Sequence, residues 1–85
     1  MGEQAYKLIS PTSDYGKYQI NQINFRYGGV CYGITFEEFL NSPMLQEYKA
    51  RELMKLHIKI IKQYNLPITK ERLHKSWFGI AYALK

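Results

Sequence analysis

The side chains suited to acid–base, nucleophilic or metal chemistry are few in this sequence, and most have an ordinary explanation. Glu37 and Glu38 follow Thr35 at the spacing of a capping box, which commits one carboxylate to a helix start and leaves the other beside it. His57 and His74 fall on different predicted helices with no partner at metal-ligand spacing, so surface or helix-edge roles are expected and no metal site. Cys31 is the single cysteine, which excludes a disulfide within the chain and reads as a small buried hydrophobe. One segment stands apart, Ser13-Asp14-Tyr15-Gly16-Lys17-Tyr18-Gln19-Ile20-Asn21. It sets a carboxylate beside two side-chain amides, Gln19 and Asn21, which both donate and accept hydrogen bonds. Tyr15 and Tyr18 can stack on a flat ligand face or pack. Taken alone, Asp14-Tyr15-Gly16 is also the sequence of an Asx-type turn with no catalytic role.

The elements that must hold this segment follow from turn chemistry and hydrophobic period. Residues 1–34 are rich in Gly, Ser, Thr, Asn and Tyr, with turn signals at Ser10-Pro11, Asp14-Tyr15-Gly16 and Gly28-Gly29; a turn-rich lobe with room for a small hairpin is expected. Residues 35–85 form a helical part. Thr35 and Glu38 cap a short helix carrying Phe36, Phe39 and Leu40 that ends near Asn41. Ser42 caps the next, with Pro43 at its first position, where a missing N–H costs nothing. That helix should run to about Tyr64, with Leu45, Tyr48, Leu53, Leu56, Ile60 and Tyr64 on its buried stripe and Ile58 and Ile61 widening it, until Asn65 and Pro67 stop it. Thr69 opens a third helix with Leu73, Trp77, Ile80, Ala81 and Leu84 inward.

With 85 residues, 46% hydrophobic and 15% aromatic, the chain reads as one mainly helical α+β domain near the lower size limit for a self-sufficient core. The net charge of +5 favours anionic partners, namely nucleic acid, acidic lipid or cell-wall polymer, without choosing among them. The start lacks signal-peptide features, and no apolar run is long enough to span a bilayer.

The segment from Ser13 to Asn21 resembles the active-site strand and turn of animal-type lysozymes and of the lytic transglycosylases of secretion systems and phages. The family pattern is Asp-Tyr-Gly, two variable apolar residues, then Gln-Ile-Asn, and all six fixed positions are present. Ser10-Pro11 stands where many transglycosylases carry Ser-Pro. Downstream, Gly33-Ile34-Thr35 with Glu37, Glu38, Leu40, Asn41 and Pro43 is similar to the family's Gly-Ile-Thr, acidic residues and Leu-Asn-x-Pro. Trp77 and Ala81-Tyr82-Ala83 match its end loosely, with Ala83 where the family has asparagine.

The resemblance implies a truncated lysozyme-like domain that binds peptidoglycan or chitooligosaccharide and cleaves, or once cleaved, the β-1,4 bond between MurNAc and GlcNAc at a bacterial cell wall or periplasm, with no cofactor. It implies that Asp14 is the second carboxylate and that Tyr15, Tyr18, Gln19, Asn21 and Tyr82 contact the sugar. The family's general-acid glutamate precedes this segment, and Glu3 is the only upstream carboxylate. A general acid working near neutral pH needs an apolar, ordered pocket, and so near the start of the chain no helix is expected to hold Glu3. Removal of an upstream helix, a binding-only relative, or a second chain completing the site would each account for that. Asp14→Asn and Gln19→Ala are expected to weaken glycan binding with little effect on unfolding. The competing reading is a small basic helical protein that binds nucleic acid or a protein partner without catalysis.

Overall fold

The computed structural model describes residues 2–85, with side chains from Gln4 onward. The fold is mainly helical α+β, and the chain divides into two compact units, Met1–Arg51 and Glu52–Lys85.

The first unit opens with a 3-10 helix, Gly2–Lys7. A two-stranded antiparallel hairpin follows, β1 (Asp14–Tyr15) and β2 (Ile20–Asn21), paired Asp14 with Asn21 and Tyr15 with Ile20. Ile9 adds a bridge to Tyr15 on the other side. A second 3-10 helix, Gln22–Phe25, takes residues that the sequence leaves open between extended chain and loop. The short helix α1 (Phe36–Leu40) starts in the expected capping box: Glu38 N donates to Thr35 Oγ1 at 3.1 Å, and Thr35 N to Glu38 Oε1 at 3.3 Å. Ser42 accepts from Leu45 N at 3.2 Å at the head of α2 (Pro43–Gln63), as a capping serine should.

The buried face of α2 keeps Leu53 and Ile61 of the expected stripe but is otherwise shifted from it. Gln46, Ala50, Leu53, His57 and Ile61 are buried, whereas Tyr48, Leu56 and Tyr64 are exposed. The two stripes are offset around the helix, and hydrogen bonding explains the choice: Gln46 and His57 are polar, yet each finds buried partners that repay its desolvation. In the first unit, Gln46 Nε2 donates to the carbonyls of Tyr6 (2.7 Å) and Phe39 (2.8 Å), and its Oε1 accepts from Lys17 N at 3.0 Å. One side chain thus ties the first 3-10 helix, the hairpin turn and α1 to α2. Beside it, Tyr15, Phe25, Phe36 and Phe39 form an aromatic cluster with Tyr15 stacked on Phe36 at 4.3 Å and 6°. Cys31 is fully buried, as its reading as a small hydrophobe requires.

In the second unit α2 ends in a Schellman motif. Asn65 adopts φ 57°, Leu66 N donates to Ile61 O (3.2 Å) and Asn65 N to Lys62 O (3.0 Å). Thr69 caps α3 (Lys70–Phe78) through Arg72 N at 3.1 Å. The helical period predicts that this third helix continues through Leu84; instead Gly79 breaks it, its backbone extended at ψ 129°, and α4 (Ile80–Ala83) restarts on a different face. That break buries Ala83 and leaves Ala81, expected to face inward, exposed. His57, expected at a surface or helix edge, is also corrected. It is buried, with Nδ1 3.0 Å from Ser76 Oγ and its ring edge-on to Trp77 at 6.0 Å. Because the Ser76 hydroxyl already donates to Leu73 O at 2.6 Å, its oxygen accepts from His57, which places the ring proton on Nδ1.

Candidate functional site

The hairpin brings Asp14 and Asn21 together and sets Gln19 in its turn, with the Gln19 amide folded back onto Gly16. Gly16 sits at φ 81°, and a Cβ there would lie 2.3 Å from Gln46 Oε1, so only glycine permits the turn to close on that amide. Gln19 takes φ 53°, costly for a residue with a side chain; its Nε2 donates to Gly16 O at 2.8 Å and its N to the same carbonyl at 3.1 Å, which hold the turn. Ile20 is buried beneath. Asn21 accepts from Ile23 N at 3.1 Å as the cap of the second 3-10 helix, and donates from Nδ2 to Asp14 Oδ1 at 2.8 Å.

The Asp14 carboxylate is the centre of this arrangement. Oδ2 accepts from Thr12 Oγ1 (2.6 Å) and Ser10 Oγ (3.0 Å), and Oδ1 accepts from Asn21. Partial burial pushes the Asp14 carboxyl up, but the hydrogen bonds from Thr12, Asn21 and Ser10 together outweigh it and leave it below the usual carboxylate range. Asp14 is therefore an ionised group near neutral pH, suited to stabilising positive charge and unsuited to donating a proton. Three donors also make it part of the fold, so Asp14→Asn carries a stability cost that the sequence does not suggest.

The aromatic candidates separate. Tyr15 packs in the cluster with Phe25 and Phe36. Tyr18 turns to a constellation that sequence reasoning missed: its hydroxyl donates to Glu47 Oε2, that of Tyr6 to Glu47 Oε1 at 2.8 Å, and Lys17 Nζ stands 3.5 Å from the same carboxylate. The Lys17 ammonium lies over both rings, 5.2 Å from Tyr6 and 5.4 Å from Tyr18. Hydrogen bonds from Tyr18 first, and then from Tyr6, hold the Glu47 carboxyl below its usual value, and the bond to Glu47 pushes the Tyr18 phenol up. No spacing in the sequence relates Glu47 to Tyr6 and Tyr18; only the fold joins them.

Tyr82 belongs to the second unit, where it lines a surface concavity of about 600 Å³ with Lys75, Phe78 and Lys85. Glu3 falls in the first 3-10 helix, contrary to the expectation that no helix could hold it, but its side chain lies outside the described residues. Glu38 is engaged in the capping box, and Glu37 is exposed beside it. Among the described residues there is no cluster of three or more His, Cys, Asp or Glu able to hold a metal ion, and no helix long and apolar enough to cross a membrane. Comparison with known proteins returned no matching family model, no similar curated protein and no similar solved structure.

Proposed function

We propose that this chain is a peptidoglycan-binding, lysozyme-like module whose hairpin from Asp14 to Asn21 faces the amino-sugar polymer, an element that cleaves or once cleaved the β-1,4 bond between MurNAc and GlcNAc. The observation that supports this reading is the Asp14 carboxylate, partly solvated and kept ionised by Ser10, Thr12 and Asn21. Cleavage of such a bond passes through an oxocarbenium-like centre, and a carboxylate in a polar, hydrogen-bonded setting stabilises it without taking up a proton. The amides of Asn21 and Gln19 already serve the hairpin through Asp14, Ile23 and Gly16, and Gln19 Oε1 would add an acceptor suited to an acetamido N–H.

Titration of the labelled protein with chitooligosaccharide, followed by amide NMR, tests it. Shifts concentrated between Tyr15 and Asn21 are expected, with binding weakened severalfold by Asp14→Asn. Because that variant also loses charge-assisted hydrogen bonds, it should unfold about 1–2 kcal/mol more easily, so the comparison belongs well below its melting transition. Absence of any shift in the hairpin at saturating sugar removes the proposal.

A further inference from the structure

The charge of the molecule is not shared between its units. Met1–Arg51 balances five Lys and Arg against five Asp and Glu, whereas Glu52–Lys85 carries seven Lys and Arg against Glu52 and Glu71. All of the net +5 therefore resides in the second unit. Two concavities of this unit adjoin. The larger, about 600 Å³, is lined by Phe78 and Tyr82 with Lys75 and Lys85; the smaller, about 130 Å³, shares Lys75, Tyr82 and Lys85 and adds Arg72 and Glu71.

The aromatic rings are open to solvent, Phe78 at 74% and Tyr82 at 57%. Each is nevertheless positioned. A Cβ at Gly79 would come within 3.1 Å of the Tyr82 ring, so that ring lies close over bare backbone, and Phe78 is held edge-on by His74 at 5.3 Å. The Lys85 ammonium stands 5.6 Å from the Tyr82 ring centre. Arg72 is fixed through Nη1 to the carbonyls of Ala83 and Lys85, which braces the smaller concavity with a permanent charge. Exposing two ordered rings to water between cations makes sense where a planar, anionic ligand covers them.

We infer that the surface formed by Lys75, Phe78, Tyr82 and Lys85 binds single-stranded nucleic acid, with bases stacked on the two rings and backbone phosphates at the lysines. A single strand alternates a flat π-face with a negative charge along one chain, which matches rings interleaved with ammonium groups; an acidic peptide or a polyanionic sugar supplies the charge alone. Stacking on an aromatic side chain tolerates any base, so little sequence preference is expected. Glu71, ion-paired with Lys75 at 3.2 Å, brings a carboxylate to the site and competes with the phosphate.

The test is fluorescence anisotropy of a labelled oligothymidylate titrated with the full chain at several salt concentrations. Two or three phosphate contacts predict a slope of log affinity against log salt of roughly −1.4 to −2.1, since single strands give about −0.7 per phosphate. Phe78→Ala with Tyr82→Ala should weaken binding by at least about tenfold, while Tyr82→Phe retains it. Lys85→Gln should reduce the slope by about 0.7, and Glu71→Gln should tighten binding. Both rings are exposed, so the alanine pair should melt with the wild type; a matching amide spectrum confirms that its fold is intact. Three results overturn the inference: affinity unchanged in the ring variant, heparin held as tightly as oligothymidylate and equally by the ring variant, or retention on phosphatidylserine vesicles that oligothymidylate cannot displace. Asp14→Asn should leave this binding untouched, which separates it from the glycan reading.

Discussion

Replacing Gln46 by leucine should unfold the first unit far more readily than an exposed substitution would. The side chain makes three hydrogen bonds, to Tyr6 O, Phe39 O and Lys17 N, and only 1% of it is exposed. Each bond is worth about 1 kcal/mol net, and a buried partner left without one costs about 1–3 kcal/mol. Phe39 O keeps a partner in Ser42 N, so the orphans are Tyr6 O and Lys17 N. Leucine recovers some apolar burial, and the balance is a loss of about 2–4 kcal/mol, or roughly 10–25 °C in melting temperature for a domain of this size. Thermal and urea unfolding followed by circular dichroism give the magnitude. A double-mutant cycle tests the geometry behind it. Gly16→Ala alone drives a methyl into Gln46 Oε1, 2.3 Å away, and holds alanine at φ 81°. With Gln46 already shortened to alanine, the collision is gone and only the backbone cost of about 1–2 kcal/mol remains. The two substitutions should therefore cost less together than their sum. Strict additivity, or a Gln46→Leu change within about 0.5 kcal/mol of wild type, would refute the view that this amide joins hairpin and helix.

His57 should make stability sensitive to mild acid. Burial lowers its pKa below the ordinary 6.5, so the unfolded chain takes up the proton first; the contribution is complete above about 6.5 and is lost as pH falls through the lower folded value. Urea midpoints at pH 7.5 and 5.5 should show the drop in wild type and a shallower one in His57→Phe; equal slopes would assign the sensitivity elsewhere. At Glu47, the charged acceptor that raises the Tyr18 phenol becomes a neutral amide oxygen in Glu47→Gln, which accepts more weakly. Ring-carbon NMR of Tyr18 should then titrate at lower pH than in wild type, and an unmoved curve would deny the pairing.

Local signals carried most of the helical half. Thr35 with Glu38, Ser42 before Pro43, Asn65 ahead of Pro67 and Thr69 are terminal chemistry written into neighbouring residues, and each acts as its type predicts. The stripe of α2 was ambiguous because apolar residues occupy most of its circumference from Leu53 to Ile61, so the period alone does not choose a face. The choice was made by Gln46 and His57: two of the three Gln46 partners lie 29 and 40 residues away in sequence, and the His57 partner lies 19 away. Gly79 was a visible interruption within the third helical pattern, and its effect on which alanine is buried follows from the extended backbone there. At the candidate site, the turn signals left room for a small hairpin, but the pairing that sets Asp14 opposite Asn21 comes from the fold. The hydroxyls of Ser10 and Thr12 completed the carboxylate's shell from outside the motif.

The hydrogen bonding of Asp14 also bears on what chemistry the proposed glycan site can perform. Hydrolysis of a glycosidic bond divides labour between a group that stays ionised and a group that holds a proton at working pH, so two carboxyls must be pushed in opposite directions. Among the described residues, the two carboxyls that the fold displaces, Asp14 and Glu47, are displaced downward, each by donors aimed at its oxygens. Neither can lend a proton near neutrality, and making either do so would require stripping away hydroxyl or amide partners that also hold the hairpin. The stabilising half of the reaction and the integrity of the turn thus depend on the same bonds. On the proposed reading, the proton must come from Glu3, from a segment upstream of this sequence or from a second chain, whereas sugar binding needs none of them. Affinity for chitooligosaccharide should accordingly survive conditions in which cell-wall lysis is undetectable.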